Sequence, residues 1–176
     1  MRYVTEYFFC SKKLITTLSE VQEIFSCIRD VSWKPEFEIT VDEKTYLYQS
    51  GYNKAFDREF HDRGWELRPV LYKEPGLIGD FFKNDVFVEV QFGNSSTIYR
   101  DYYKFHYGLT HRLLSLAVLI VPERPETFFP TRPASVQNMA AFETARRLFD
   151  LLPIPVPILL IGLSPGRTEP DVDTES

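Results

Sequence analysis

A run of apolar residues at positions 113–121 most strongly limits the folds open to this chain. It is interrupted by a single serine and stops at Pro122, which is typical of a strand buried in the middle of a sheet. Before it, residues 98–109 repeat apolar side chains at helical spacing, and residues 85–91 alternate polar and apolar ones as a strand does. This order predicts a βαβ unit with a right-handed crossover.

Further patterns extend this unit to an α/β fold, with a mixed central sheet of about five strands and helices on both sides. Apolar side chains at helical spacing predict helices at residues 14–30, 52–64 and 135–152, the last with Ser135 as its N-cap. Short strands are predicted at residues 36–41 and 154–163.

Length and composition bound the domain organisation. A chain of 176 residues, with 44% hydrophobic and 26% charged residues, predicts one globular domain over residues 1–163. Residues 164–176 are acidic and predict a disordered tail. The net charge of −5 argues against a simple nucleic-acid binder, but −3 of it lies in the last ten residues. The remaining body is close to neutral and can carry a basic cleft, because phosphate affinity follows local charge density.

Other features argue against extracellular or membrane classes. Cys10 and Cys27 have no zinc or redox spacing, which predicts reduced thiols in a cytosolic protein. The apolar runs are too short to cross a bilayer, and the N-terminus shows no signal peptide. We therefore expect a cytoplasmic protein without a membrane partner.

The polar candidates for function lie in residues 79–91, which predict a β-hairpin. In its second strand the residues on one face are Val86, Val88 and Val90, and those on the other are Asp85, Phe87, Glu89 and Gln91. A carboxylate and an amide therefore project side by side from a strand that is otherwise apolar.

The expected turn decides which acid is the partner of Glu89. If the turn centres on Lys83-Asn84, Asp80 lies opposite Phe87 and diagonal to Glu89, within reach of a shared cation. Asp85 is a poorer partner, because at strand rise it lies about 13 Å from Glu89.

This arrangement suggests metal-dependent phosphoryl chemistry. Two converging carboxylates can hold Mg²⁺, which polarises a phosphoryl oxygen and supplies a hydroxide nucleophile near neutral pH. Gln91, two residues after Glu89, can hydrogen-bond the attacking water, although an amide lacks the positive charge of a lysine. A solvated edge hairpin explains the bare pattern as well. The apolar context favours a site, because carboxylates in such a strand are costly unless they are paired or bound to metal.

These residues resemble the active-site motif of the PD-(D/E)XK nuclease superfamily. More narrowly, the ending Glu89-Val90-Gln91 after Asp80 is similar to BglII/BstYI-type restriction endonucleases, in which glutamine replaces the final lysine. The resemblance covers residues 20–163 and also rests on three further stretches: Asn53-Lys54-Ala55-Phe56 with Gly64-Trp65, Gln91-Phe92-Gly93-Asn94, and residues 98–121.

The resemblance implies a restriction-endonuclease-like core and a type II restriction endonuclease. Asp80 and Glu89 would ligate Mg²⁺, and Gln91 would help to place the nucleophilic water. The enzyme would be a homodimer around double-stranded DNA that cuts a short palindrome, such as one containing GATC, and leaves 5′-phosphate ends with four-base overhangs. It would act in the cytoplasm of a prokaryote beside a cognate DNA methyltransferase.

Residues outside the motif are more ambiguous. Asn94, Ser95 and Asn138 are candidates for DNA contact, but turn formation or helix capping explains each of them about as well. Arg100 and Lys104 are candidates for phosphate contact, but a solvated helix face is the more common reason for such a pair. A tyrosine cluster on the same helix predicts core and dimer packing: Tyr99, Tyr102, Tyr103 and Tyr107.

Two other functions stay open from the sequence. One is a repair, mobile-element or phage nuclease of the same fold without strict sequence specificity. The other is an inactive relative that only binds DNA or a partner protein. The retention of both carboxylates and the amide in an apolar strand disfavours the inactive relative.

Overall fold

The computed structural model describes residues 1–74 and 76–166. Within them the strands are β1 (Arg2–Phe8), β2 (Glu38–Val41), β3 (Lys44–Leu47), β4 (Glu66–Leu67), β5 (Val70–Tyr72), β6 (Leu77–Ile78), β7 (Phe81–Lys83), β8 (Val86–Val90), β9 (Leu116–Pro122) and β10 (Ile158–Ser164). The helices are α1 (Lys12–Ile15), α2 (Ser19–Asp30), α3 (Tyr48–Asp62), α4 (Thr97–Thr110), α5 (Pro125–Phe128) and α6 (Phe142–Leu151).

The main sheet is mixed and, in the described part of the chain, has six strands in the order β1-β10-β9-β8-β7-β4. Strands β8, β9 and β10 run parallel, and the outer strands pair antiparallel. All seven residues of β9 are buried at its centre, as the apolar run predicts. The predicted unit of strand, helix and parallel strand is confirmed as β8, α4 and β9, with Glu89 opposite Leu119.

Helices cover both faces of this sheet, which confirms the predicted α/β class. On one face Val88 and Val118 pack with core residues of α2 and α3 such as Phe25 and Phe56. On the other face the core includes Phe87 of β8, Leu119 of β9 and the following residues of α4 and α6: Ile98, Phe105, Ala145 and Phe149. The alternation of residues 85–91 therefore sorts the side chains of β8 between two separate cores.

Several strands were not expected from the sequence, and two of them, β1 and β4, belong to the main sheet. Residues Arg2–Phe8 form β1, which pairs antiparallel with β10 at the edge of the sheet. Its residues alternate between exposed and partly exposed, so no run of buried apolar residues marks it. Among the described residues this sheet therefore has six strands instead of about five, and the strand predicted at residues 36–41 is not one of them, because β2 pairs with β3 in a separate two-stranded sheet.

The helix predicted at residues 14–30 is divided into α1 and α2. The hydroxyls of Thr16 and Thr17 donate to the carbonyls of Lys12 and Leu14, and Leu18 has an extended ψ of 132°. Threonine hydroxyls that bond their own backbone offer the chain an alternative to a continuous helix.

The prediction for the last helix was wrong at its N-terminus. Helix α6 begins at Phe142 and is preceded by Ala141, so Ser135 is not its N-cap. The intervening backbone bonds to the loop after β8 instead. The amide of Ser95 donates to the Asn138 carbonyl at 2.7 Å, and the amide of Ala140 donates to the Gly93 carbonyl at 2.8 Å.

The remaining predictions concern the thiols, the tail and the membrane. Among the described residues both Cys10 and Cys27 are free thiols, and burial raises the pKa of Cys27 to about 12. No helix in that part of the chain is long and apolar enough to cross a membrane. Apart from residues 164–166, the predicted acidic tail lies outside the described residues.

Candidate active site

The site is built on the hairpin of β7 and β8, whose turn differs by one residue from the prediction. Lys83 pairs with Val86, and the two residues between them, Asn84 and Asp85, have positive φ values of 45° and 64°. Two successive positive φ values characterise a two-residue hairpin turn whose twist matches the strands, and Asn and Asp tolerate them best after glycine. The turn centred on Lys83-Asn84 was therefore wrong.

This shift changes the cross-strand partner of Asp80. Phe82 pairs with Phe87 and Phe81 with Val88, so the next step along the hairpin brings Asp80 opposite Glu89. Side chains directly opposite in an antiparallel pair project from the same face. Continued beyond its last pair, the register thus sets the two predicted metal ligands directly opposite each other instead of diagonal. Asp85 lies in the turn at the other end of the hairpin and not in the strand, where the alternation had placed it.

Asp80 is held at the end of the hairpin by backbone contacts. Its Oδ2 accepts a hydrogen bond from the amide of Val90 at 2.8 Å, and its Oδ1 lies 3.6 Å from Nη1 of Arg68. Burial raises the pKa of Asp80, while the Val90 amide and Arg68 oppose that rise. The carboxyl group is therefore fixed in position, while its side chain stays 30% exposed at the edge of a cleft, where a cation can reach it.

Glu89 is more deeply buried, with a relative exposure of 4%. Burial raises the pKa of Glu89 well above its usual value, the charges of Asp101 and Asp80 raise it further, and Lys104 opposes them. Nζ of Lys104 donates to Oε1 of Glu89 at 2.8 Å. The carboxyl group thus shares a desolvated site with two other acids and one ammonium group.

The lysine and one of these acids come from α4 and were not assigned to the site from the sequence. Lys104 is only 2% exposed, and its Nζ lies 3.0 Å from Oδ1 of Asp101. Burial lowers the pKa of Lys104, but the charges of Glu89 and Asp101 outweigh that effect, so the pKa is raised and the ammonium is charged. The prediction of a solvated face for Lys104 was wrong.

The sequence does contain a signal for these two residues. The buried positions of α4 are Ile98, Asp101, Lys104, Phe105 and Gly108, a spacing of three and four that follows one face of a helix. Two opposite charges on the core-facing side of an amphipathic helix indicate a buried pair that meets another polar group.

Gln91 is also held by neighbouring groups. Its Nε2 donates to Oδ2 of Asp101 at 3.1 Å, and its Oε1 accepts from the amide of Gly93 at 2.8 Å. A Cβ atom at Gly93 would approach that Oε1 to 2.8 Å, so a side chain there would displace the amide. Asp101 therefore connects Gln91 to Lys104, with one carboxylate oxygen for each.

The opposite side of the site is formed by α3 and the segment before β7. Nη2 of Arg68 donates to both carboxylate oxygens of Asp57, at 2.8 and 3.0 Å. The Arg68 side chain is 47% exposed and also donates to the backbone carbonyl of Asp80. A small cleft opens here, lined by Asn53, Phe56, Asp57, Arg68, Asp80, Phe81 and Val90.

The donor set of this hairpin fits a hard divalent cation. Asp80 and Glu89 interact electrostatically, the first 30% exposed and the second buried, and Mg²⁺ is typically bound by one or two carboxylates with water or phosphate completing its shell. In the described part of the chain no group of three or more His, Cys, Asp or Glu residues is placed to hold a metal. Any cation here would therefore depend on water and substrate oxygens as well as on the two carboxylates.

The three candidate DNA contacts lie together beside this site. Ser95 is joined to Asn138 through their backbones, and Asn94 forms an isolated β-bridge with Met139. Asn94 and Asn138 are exposed, and both line a shallow pocket with Arg132. Oδ1 of Asn94 also accepts from the amide of Ser96 at 2.9 Å, so this side chain also shapes the turn before α4.

Comparison with known proteins identifies a family and a fold. The family model for the restriction endonucleases BglII/BglIII matches residues 4–163. The solved structure of the restriction endonuclease BglII complexed with a DNA 16-mer has a TM-score of 0.72 and 18% identity, and the match covers 94% of this chain and 78% of that one. Free BglII has a TM-score of 0.64 and 20% identity, with coverage of 94% and 81%. No curated protein sequence matches significantly. These findings confirm the predicted restriction-endonuclease-like fold and the resemblance to the BglII group.

Proposed function

Because the chain belongs to the BglII/BglIII restriction endonuclease family and is thus a type II site-specific deoxyribonuclease, we propose that it hydrolyses phosphodiester bonds in duplex DNA through Asp80, Glu89 and Gln91, with Mg²⁺ as cofactor. The observation that carries this assignment is the hairpin register: continued one residue beyond the Phe81–Val88 pair, it sets Asp80 opposite Glu89, and the charge of Asp80 raises the pKa of the buried Glu89. Two carboxylates that face each other are costly without a cation.

Each side chain has a distinct role in this proposal. When bound, Mg²⁺ polarises a phosphoryl oxygen and lowers the pKa of a coordinated water. Asp80 and Glu89 would hold it, Asp80 already being oriented by the Val90 amide. Gln91 uses one amide hydrogen and one carbonyl lone pair in its contacts with Asp101 and Gly93. An amide has two of each, so Gln91 retains one donor and one acceptor site for the attacking water.

The proposed reaction is a water displacement at phosphorus. The water oxygen bonds to phosphorus and gives up a proton to solvent, the bond from phosphorus to the 3′ oxygen breaks, and that oxygen takes a proton from a second water. The strand ends become a 5′-phosphate and a 3′-hydroxyl. The substrate would be a short palindrome, and sites containing GATC, cut to give four-base 5′ overhangs, are the first to test. Asn94, Ser95 and Asn138 would approach the bases, since an exposed amide can bond bidentately to adenine in the major groove.

A palindromic substrate also suggests the assembly. A homodimer with two-fold symmetry would present one site to each strand. Two tyrosines on the outer side of α4, Tyr99 and Tyr103, are 60% and 52% exposed, and aromatic residues of this kind are enriched at protein interfaces. A cognate DNA methyltransferase of the same system would protect host DNA, with no contact to this protein implied.

The first experiment is digestion of unmethylated plasmid or phage DNA with Mg²⁺. Discrete fragments with defined ends would support the proposal. A continuous smear would favour a repair or mobile-element nuclease, and no cleavage at any salt or metal concentration would favour an inactive DNA-binding relative. Fragment ends are sequenced, which gives the recognised bases and the cut position directly.

At residue level, Asp80→Ala and Glu89→Ala should each abolish cleavage while DNA binding is retained, because each removes one carboxylate of the metal site. Cleavage is measured under single-turnover conditions and binding by fluorescence anisotropy in Ca²⁺. Asp85→Asn is the matched control, because it changes an acid of the same hairpin at a position where Asn tolerates the φ of 64°. Loss of activity in Asp85→Asn with retention in Asp80→Ala would contradict the metal assignment.

A further inference from the structure

Lys104 is buried, at a position where removing the charge of a lysine from water costs free energy. Among the described residues it is the one buried lysine or arginine, and its neighbours in the same core include Ile98 and Phe105. Replacing a buried ion pair with apolar residues of similar volume is often neutral or stabilising. Packing alone therefore gives little reason for an ammonium group at this point of α4, and its contacts indicate another role.

The contacts of Lys104 lead to Glu89 in β8 and to Gln91 directly after it. Nζ lies 2.8 Å from Oε1 of Glu89 and 3.0 Å from Oδ1 of Asp101. The other oxygen of Asp101, Oδ2, accepts from Nε2 of Gln91 at 3.1 Å. One pair of residues three apart on a rigid helix thus orients the carboxylate and the amide of the motif together.

The charges around the hairpin are consistent with this role. Asp80, Glu89 and Asp101 interact electrostatically with one another and with Lys104. When all three carboxyl groups are ionised, as metal binding requires, they and the one ammonium leave a balance of two negative charges, which one divalent cation neutralises. On the exposed side, Arg68 is already matched by Asp57.

From this geometry we propose that Lys104 is a positioning residue of the cleavage reaction, which holds Oε1 of Glu89 and supplies from α4 the positive charge that the amide of Gln91 lacks. The inference rests on the proposed function of Asp80, Glu89 and Gln91. Asp101 is the partner that keeps the ammonium in place and transmits the same constraint to Gln91. The carboxylate of Glu89 is then aligned before substrate and metal arrive, so the metal does not have to order it.

The test uses the double variant Lys104→Met with Asp101→Asn in the full chain. It removes one positive and one negative charge, so the balance of two negative charges at the site is unchanged, and Asn can still accept from Gln91. We expect cooperative thermal unfolding as in the natural protein. We also expect the dissociation constant for Mg²⁺, measured by calorimetry, to rise about tenfold, as is typical when a group supporting a metal ligand is removed.

The decisive measurement is the single-turnover cleavage rate at saturating Mg²⁺, which should fall about 100-fold because Glu89 is no longer held. Adding Gln91→Lys to the double variant returns a positive charge beside Asp101 and Glu89 from the strand, and should recover part of that rate. A double variant whose rate and Mg²⁺ affinity both stay within about threefold would show that Lys104 is only structural.

Two controls make the outcome unambiguous. If the double variant lacks a cooperative transition, Lys104→Gln replaces it under the same criterion, because glutamine keeps a donor near Glu89 without the charge. If the natural protein neither binds Mg²⁺ nor cuts DNA with it, the proposed function fails and this inference fails with it. If the natural protein cuts and the variant cuts equally well, the inference on Lys104 alone is overturned.

Discussion

The two sides of the hairpin hold a carboxylate against a cation in different environments. On the α4 side, Glu89 and Lys104 are 4% and 2% exposed and lie within 2.8 Å of each other. On the α3 side, the side chains of Asp80 and Arg68 are 30% and 47% exposed and lie 3.6 Å apart. Similar chemical groups thus form a buried contact on one side and a loose, solvated contact on the other.

This difference in exposure suits the two sides of the hairpin to different functions. A buried pair is little screened and has strongly directed contacts, so it can fix a side chain before the substrate arrives. A half-exposed pair is screened by water and salt, and its members can exchange partners at little cost. The α4 side is therefore suited to alignment of the carboxylate, and the α3 side faces the cleft from which a substrate phosphate would approach.

The largest effect expected from this comparison is on stability. Lys104→Ala removes one member of a buried pair and leaves Glu89 and Asp101 without their cation, which should cost about 3–5 kcal/mol. Arg68→Ala removes a half-exposed partner and should cost about 0–1 kcal/mol. Urea denaturation of both variants in metal-free buffer measures the difference. Equal losses would remove the distinction between the two sides.

An effect of intermediate size is expected on the stability of the metal-free protein as pH is varied. Burial raises the pKa of both Glu89 and Asp80 above their usual values of 4.5 and 3.8. A carboxyl group with a raised pKa in the folded state binds its proton more tightly there than in the unfolded chain. Its contribution to stability is therefore fully present below the unfolded pKa and is lost as pH rises through the folded pKa.

Mg²⁺ should oppose this loss of stability with rising pH, because it binds the charged carboxylates. We expect the gain in melting temperature on adding Mg²⁺ to increase as pH rises above the usual range of a carboxyl group, with most of the change due to Glu89, whose pKa is raised further. Thermal melts with and without Mg²⁺ at a series of pH values measure it. In Glu89→Gln the dependence should be much weaker, and an unchanged dependence would contradict the assignment.

The sequence predicted the elements whose patterns depend on burial. The apolar run before Pro122, the alternation around Glu89 and the amphipathic pattern of α4 each follow from contact with a core. Those signals were sufficient for the βαβ unit and for the motif, and the BglII family match confirms the group. Strands at the edge of the sheet lack this burial pattern. β1 is an example, because its residues are only partly buried.

The hairpin register, the burial of Lys104 and the start of α6 could not be predicted, because each depends on contacts between distant segments. The hairpin register follows from a turn at Asn84 and Asp85. By composition, Lys83-Asn84 and Asn84-Asp85 are both acceptable turns, so the sequence did not decide between them. The burial of Lys104 depends on the side chain of Glu89, fifteen residues earlier, which local helix patterns do not include. Helix α6 begins late because its predicted first turn bonds to the loop at Gly93 and Ser95.

The smallest effect is expected on the pH dependence of cleavage when Arg68, on the exposed α3 side, is replaced. Arg68 lowers the pKa of Asp80, so Arg68→Ala should raise that pKa and move the acidic limb of the cleavage profile to slightly higher pH. The shift should be small and should shrink further at high salt, because the Arg68 side chain is 47% exposed and screened. Single-turnover rates across pH at two salt concentrations measure it, with Arg146→Ala on the exposed face of α6 as the control. Since Arg68 also binds Asp57 and the Asp80 carbonyl, complete loss of cleavage at about pH 8 would mean that this side aligns the site as strictly as Lys104 does.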